Sequence, residues 1–242
     1  MRQEPEIGDG LQAFYQAMDA KEVARIVGQL TRWVDPETFH LLPVWYPELA
    51  RKQPLYKAGW ISPQTNLGNP KFEGNTKANA ALSRALGVSK KSRPGWTCCH
   101  IWGNDDTSFG KGSSEVNDPR YYSCIANMVL LPTPLKAFTD AVPQVKAALR
   151  LAAFHLYGFL PEGKGAPTVE EASDWLPEGW QDGQVTGIRR LNSKIERSTQ
   201  NRANKILDQI RDSAGNYPTG QVERVLNYWR SKTPYFLLEG ES

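Results

Sequence analysis

Trp96-Thr97-Cys98-Cys99-His100-Ile101-Trp102, set between Gly95 and Gly103, is the stretch on which the fold turns. Aromatic and β-branched residues dominate it and glycines bound it, so it reads as a short strand. A polar loop from Asn104 to Asp118 follows, and then Tyr121 to Leu131, again strand-like and closed by Pro132. Asp118-Pro119-Arg120-Tyr121-Tyr122 reads as a turn entering that second strand, because Pro presets a turn and aromatics favour strands. Next comes a helix-prone segment, and a helix rich in Ala and Leu from about Pro143, a favoured first-turn residue, to Gly158. The order is strand, loop, strand, helix.

Both flanks read as helical. Leu11, Phe14, Tyr15 and Met18 recur at helical spacing, and Asp19 with Glu22 resembles a capping box opening a second helix through Val23, Ile26, Val27 and Leu30. Pro43, Pro47, Pro54 and Pro63 predict loops and short turns over 42–74. A third helix fits 76–86, with Asn75 as cap and Gly87 as stop, before a basic turn that holds Lys90, Lys91 and Arg93. Residues 160–187 are linker-like. In the tail, Arg190, Lys194, Arg197, Asn201 and Lys205 share one face of a predicted helix over 189–211. Leu191, Ile195, Ile206 and Ile210 lie opposite. Val222, Val225, Leu226 and Trp229 mark a final helix. The expectation is an α+β chain in four regions: 1–93, 94–158, 159–187 and 188–242.

The 242 residues are 40% hydrophobic and include eight Trp, which is material for a core rather than for disorder. No stretch reaches the roughly 20 apolar residues of a membrane span, the first residues carry no apolar run, and three cysteines make an odd, sparse set. These features predict a cytoplasmic protein with no membrane partner. Net charge is only +3, yet residues 1–50 hold four basic and eight acidic side chains, while 51–93 hold nine basic and one acidic. Residues 188–212 hold seven basic and three acidic. Two basic blocks suit a polyanion surface; the plain alternative is that they solvate helices. The Gly-bearing loop 108–114 lacks P-loop spacing.

Three histidines can be weighed singly. His40 sits among apolar residues and reads as structural. His155 lies at the edge of the apolar stripe of the Ala/Leu helix and reads as packed. His100 ends a strand and is followed by a second strand-like segment bearing Asn127. Here the sequence resembles the HNH, or ββα-metal, nucleases, through Cys99-His100-Ile101-Trp102 and Ile125-Ala126-Asn127-Met128-Val129-Leu130-Leu131, about 45 residues in all. The longer phrase from Cys98 to Asp140 is also similar to microbial proteins of restriction or phage-defence genes.

The resemblance implies a central ββα-metal-like cassette and a metal-dependent DNA endonuclease. His100 would be the general base that draws a proton from water, and Asn127 the amide that orients His100 or the hairpin. A divalent ion, Mg²⁺ or Mn²⁺ with Zn²⁺ as the softer option, would offset charge on the scissile phosphate. Cys99 stands where the family has Asp or His. Lys136 and Asp140 stand near the place of its last His, so Asp140 is the candidate oxygen ligand and Lys136 a phosphate contact. Lys90, Lys91, Arg93, Arg120, Arg190, Lys194, Arg197 and Lys205 would hold DNA, with a homodimer possible. Three alternatives use the same residues: a zinc site of Cys98 or Cys99 with His100, Cys124 and His155; a Cys99 nucleophile; and a Cys and His packed in a β-rich core. A non-catalytic DNA-binding protein and a zinc-stabilised interaction module are the competing functions.

Overall fold

The computed structural model describes residues 9–51, 64–66, 69–71, 75–103, 115–166, 168, 176, 188–212, 215 and 217–233. The expected polar loop at 104–114, with its Gly-bearing stretch, lies outside these residues, as does most of the linker-like segment. Helices α1 (Gly10–Ala17), α2 (Ala20–Leu30) and α3 (Pro36–Leu41) open the chain. Asp19 caps α2 by accepting from the Lys21 amide, and Asp35 caps α3 by accepting from that of Glu37. Val23, Ala24, Val27 and Gly28 form the inner face of α2, which packs on α7 (Pro143–Tyr157).

The central sheet is an antiparallel pair, β3 (Trp96–His100) and β4 (Met128–Pro132), with His100 opposite Met128 and Trp96 opposite Pro132. Arg32 adds a bridge on the far side of β4, exchanging backbone hydrogen bonds with Leu130 at 2.7 and 3.1 Å. An outlying hairpin of β1 (Gln64–Asn66) and β2 (Asn69–Lys71) lies within the stretch expected to be loops. Around the sheet stand α4 (Thr76–Ala85), α5 (Pro119–Tyr122), α6 (Lys136–Ala141), α7, α8 (Ser193–Asp212) and α9 (Thr219–Arg230). Helix α7 begins on Pro143 as expected and ends on Gly158, whose φ of 61° gives the left-handed cap. One hydrophobic core runs through all of this, from Val23 and Trp33 through Trp45, Leu82 and Leu131 to Leu149 and Trp229.

Two expectations are corrected. The second strand does not start at Tyr121, because Pro119–Tyr122 is helical and Ile125–Asn127 is a 3-10 turn. Asp118 accepts from the Arg120 amide at 2.8 Å, and Pro119 follows it at the first helical position. That pair is a helix start, and it outweighs the strand preference of two tyrosines. The tail helix starts at Ser193 rather than 189, because Asn192 Oδ1 accepts from the amides of Lys194 and Ile195 at 3.1 and 3.2 Å. Its apolar face packs on the body: Ile195, Ala203 and Ile206 are buried, and Arg202 points inward among them. The Arg202 guanidinium donates to the Trp45 carbonyl at 2.6 Å and to Glu48 Oε1 at 3.0 Å, and lies over the Tyr46 ring.

Candidate hairpin site and basic groove

Where the chain leaves β3 and returns to β4, Asn127 is fully buried and bridges the two crossing segments. Its Oδ1 accepts from the Trp102 amide at 2.8 Å, and its Nδ2 donates to the carbonyls of Trp102 and Tyr121 at 3.1 and 3.2 Å. The amide therefore locks the hairpin mouth and bonds to backbone on both sides. His100 is also buried, at 5% exposure, and its Nε2 lies 2.8 Å from the Tyr122 carbonyl. A carbonyl can only accept, so Nε2 carries a proton. Two cations from α7, Lys146 and Arg150, fasten the backbone here. Lys146 Nζ donates to the His100 carbonyl at 2.9 Å, and Arg150 Nε to that of Ile101 at 3.4 Å, with its guanidinium 4.2 Å above the Trp102 ring. Sequence reasoning passed over both. Their signal is an i, i+4 pair of cations beside the buried stripe of Val145, Leu149 and Ala152.

The expected metal ligands do not join His100. Cys99 alternates to the other face of the strand, where its thiol lies 3.1 Å from Thr139 Oγ1. Asp140 is exposed and paired with Lys136 at 3.3 Å, so the candidate ligand and the candidate phosphate contact engage each other. All three thiols are free and buried. Burial raises the pKa of Cys98 and Cys99 and pushes that of Cys124 up to about 12, which keeps them protonated near neutral pH. His155, read as packed, is exposed at the end of α7. Among the described residues no three His, Cys, Asp or Glu side chains group to hold a metal ion.

The second polar feature is a groove between α4 and α8. Its walls approach closely at Gly87, which has φ 66°; a Cβ there would come within 2.8 Å of the Ile195 side chain. A cavity of about 680 Å³ lies along the groove, lined by Asn79, Ser83, Arg84, Lys90, Arg93 and Lys194 among others. A second, of about 500 Å³, is lined by Arg84, Lys194, Arg197, Asn201 and Lys205. The two share Arg84, Lys194 and Ser198, and among the described residues no carboxylate lines either of them. Arg84, Lys90 and Arg93 of the first basic block thus meet Lys194, Arg197 and Lys205 of the second, about a hundred residues away in sequence, on one concave surface. Among the described residues, Arg84, Lys90, Lys194, Arg197 and Lys205 form no ion pair.

No family model, no curated protein and no solved structure matches the chain. The remaining candidates divide by environment. Arg93 is buried at the groove's base, 6% exposed, rather than displayed on its surface. Arg120 is held by Asp118 at 2.7 Å and Glu162 at 2.6 Å and lies over the Tyr121 and Tyr228 rings, so it is a structural clamp. Lys91 is exposed but lines neither cavity, and Arg190 is exposed on the strand-like approach to α8, ahead of the helix. Arg84, which the sequence reading did not single out, is the arginine common to both cavities. Among the described residues, no helix is long and apolar enough to cross a membrane.

Proposed function

We propose that the protein binds DNA along the α4–α8 groove and that its β3–β4 hairpin hydrolyses the phosphodiester backbone in the manner of the HNH nucleases. The observation that carries the binding half is the convergence of Arg84 and Lys90 with Lys194, Arg197 and Lys205 on a groove that no carboxylate lines among the described residues. Exposed cations of this kind are the groups that release counterions onto a polyanion, and each phosphate they neutralise adds salt-sensitive affinity. Supporting the hydrolytic half is the geometry at the hairpin mouth. Nε2–H donates to the Tyr122 carbonyl and so orients the imidazole beside the Asn127 lock, with Nδ1 the ring nitrogen that would take the proton from water. Cys99, Asp140 and His100 do not assemble as ligands: Cys99 faces Thr139 and Asp140 pairs with Lys136.

The test is nicking of supercoiled plasmid by wild type and by His100→Gln, in Mg²⁺, in Mn²⁺ and in EDTA. Gln keeps a donor toward the Tyr122 carbonyl and removes the basic nitrogen. Cleavage is expected to fall by about 10²–10⁴ with plasmid binding unchanged. Full cleavage in His100→Gln removes His100 from the chemistry. A wild type that binds plasmid yet leaves it intact in all three media leaves the non-catalytic DNA-binding protein as the function.

A further inference from the structure

We infer that the larger groove cavity is a discrete phosphoryl subsite anchored by the guanidinium of Arg93. The inference deepens the DNA-binding reading and rests on it only for the source of the phosphate. Arg93 donates from Nε and Nη2 to Ser83 Oγ at 3.0 and 2.8 Å, from Nη2 to Asn79 Oδ1 at 3.1 Å, and from Nη1 to the Trp96 carbonyl at 3.1 Å. Every one of these partners is neutral. Among the described residues no carboxylate pairs with Arg93, although burial pulls its pKa below the ordinary arginine value. One Nη1 hydrogen remains after those four bonds. Arg202, the other arginine among the described residues that is as little exposed as Arg93, is paired with Glu48. A cation withdrawn from water needs a counter-charge, and at Arg93 the cavity is where one can be placed.

The cavity fits that role. Arg84, Lys90 and Lys194 line it as exposed cations, and Ser198 adds a hydroxyl beside the apolar Val88. Its volume, about 680 Å³, exceeds what a bare phosphate fills and lies in the range of pockets for small organic ligands. The ligand class is therefore a phosphate ester carried on a larger group, as in a nucleotide unit. Its source is a free nucleotide, a strand end or an internal backbone phosphate.

The probes are inorganic phosphate, AMP, and one oligonucleotide with and without a 5′-phosphate, titrated calorimetrically into the full chain against chloride at matched ionic strength. Phosphate is expected to bind, and Arg84→Gln/Lys194→Gln, a surface change that leaves the buried anchor in place, is expected to weaken it about tenfold or more. A preference for the 5′-phosphorylated strand assigns a strand end. Equal binding of AMP and the phosphorylated strand assigns a free nucleotide, and strand binding indifferent to the 5′-phosphate assigns the backbone. Phosphate that binds no better than chloride, or equally well to the double variant, overturns the subsite. Plasmid binding without phosphate binding sinks the subsite alone. Phosphate binding without plasmid binding keeps the subsite and sinks the DNA reading.

Discussion

The hairpin mouth and the α4–α8 groove both concentrate polar side chains, and they handle them in opposite ways. At the mouth, Asn127, His100 and Lys146 are buried and spend their hydrogen bonds on backbone groups of the same chain. In the groove, Arg84, Lys194, Arg197 and Lys205 are exposed and, among the described residues, form no ion pair. Groups of the first kind fix a conformation, since each buried donor or acceptor left without a partner costs about 1–3 kcal/mol. Groups of the second kind add little to stability and repel one another by a few tenths of a kcal/mol at helical spacing. What the groove forgoes in folding it keeps available for an outside anion. Packing and pH should therefore govern the hairpin, and salt the groove.

The largest expected effect is on the hairpin's thiols. Burial holds Cys98, Cys99 and Cys124 above their ordinary value of 9.0, Cys124 at about 12. The folded state keeps these protons where the unfolded chain has released them. Their contribution is thus complete below pH 9 and falls by about 1.4 kcal/mol per pH unit per thiol as pH rises through the folded values. Thermal melts across pH 8 to 12 should show a steep loss beginning near pH 9, shallower in Cys124→Ala. A flat profile would place the thiols in water. Next is Asn127→Ala, which strands the Trp102 amide and two carbonyls and is expected to cost about 3 kcal/mol or more in urea unfolding.

Gly87→Ala is smaller. A left-handed φ and a 2.8 Å approach to Ile195 together put the expected loss at about 1–2 kcal/mol, and the α8 wall must shift, so DNA affinity should fall with stability. Smallest in stability is Arg84→Gln with Lys194, Arg197 and Lys205 also changed to Gln. Its melting curve should stay within about 0.5 kcal/mol of wild type. Its log–log salt dependence of DNA binding should flatten by up to about 0.9 for each phosphate no longer neutralised. A large stability change with an unaltered salt slope would erase the distinction between the two regions.

Much of the fold is legible in the chain because it rests on local rules. Pro143 and Gly158 bracket α7, Asp19 caps α2, and the spacing of Ile195 and Ile206 gives the inner face of α8. Failures come where two local rules compete. Tyr121 and Tyr122 suggest a strand, but Asp118 and Pro119 set a helix start ahead of them. The site is less legible, because the depth of a charged side chain depends on distant segments. Arg93 and Arg120 look like any other cations in the sequence. Only the fold brings Ser83 and Asn79 to the first, and Glu162 to the second. The meeting of Lys90 with Lys194 likewise depends on α4 packing against α8.

The Arg202–Glu48 pair carries a consequence for the order of assembly. Its partners stand 154 positions apart, and the same guanidinium caps the Trp45 carbonyl. Closing a loop of that length comes late, after the locally wired elements have formed. During synthesis, the segment around Glu48 leaves the ribosome long before α8 exists to neutralise it. The α8 wall of the groove thus arrives long after the α4 wall, and it seats where a buried carboxylate upstream accepts it. A nascent or partly folded chain has the basic turn at 89–95 but no groove, so under the proposed DNA-binding role a firm grip on a polyanion would be withheld until the polypeptide has closed on itself.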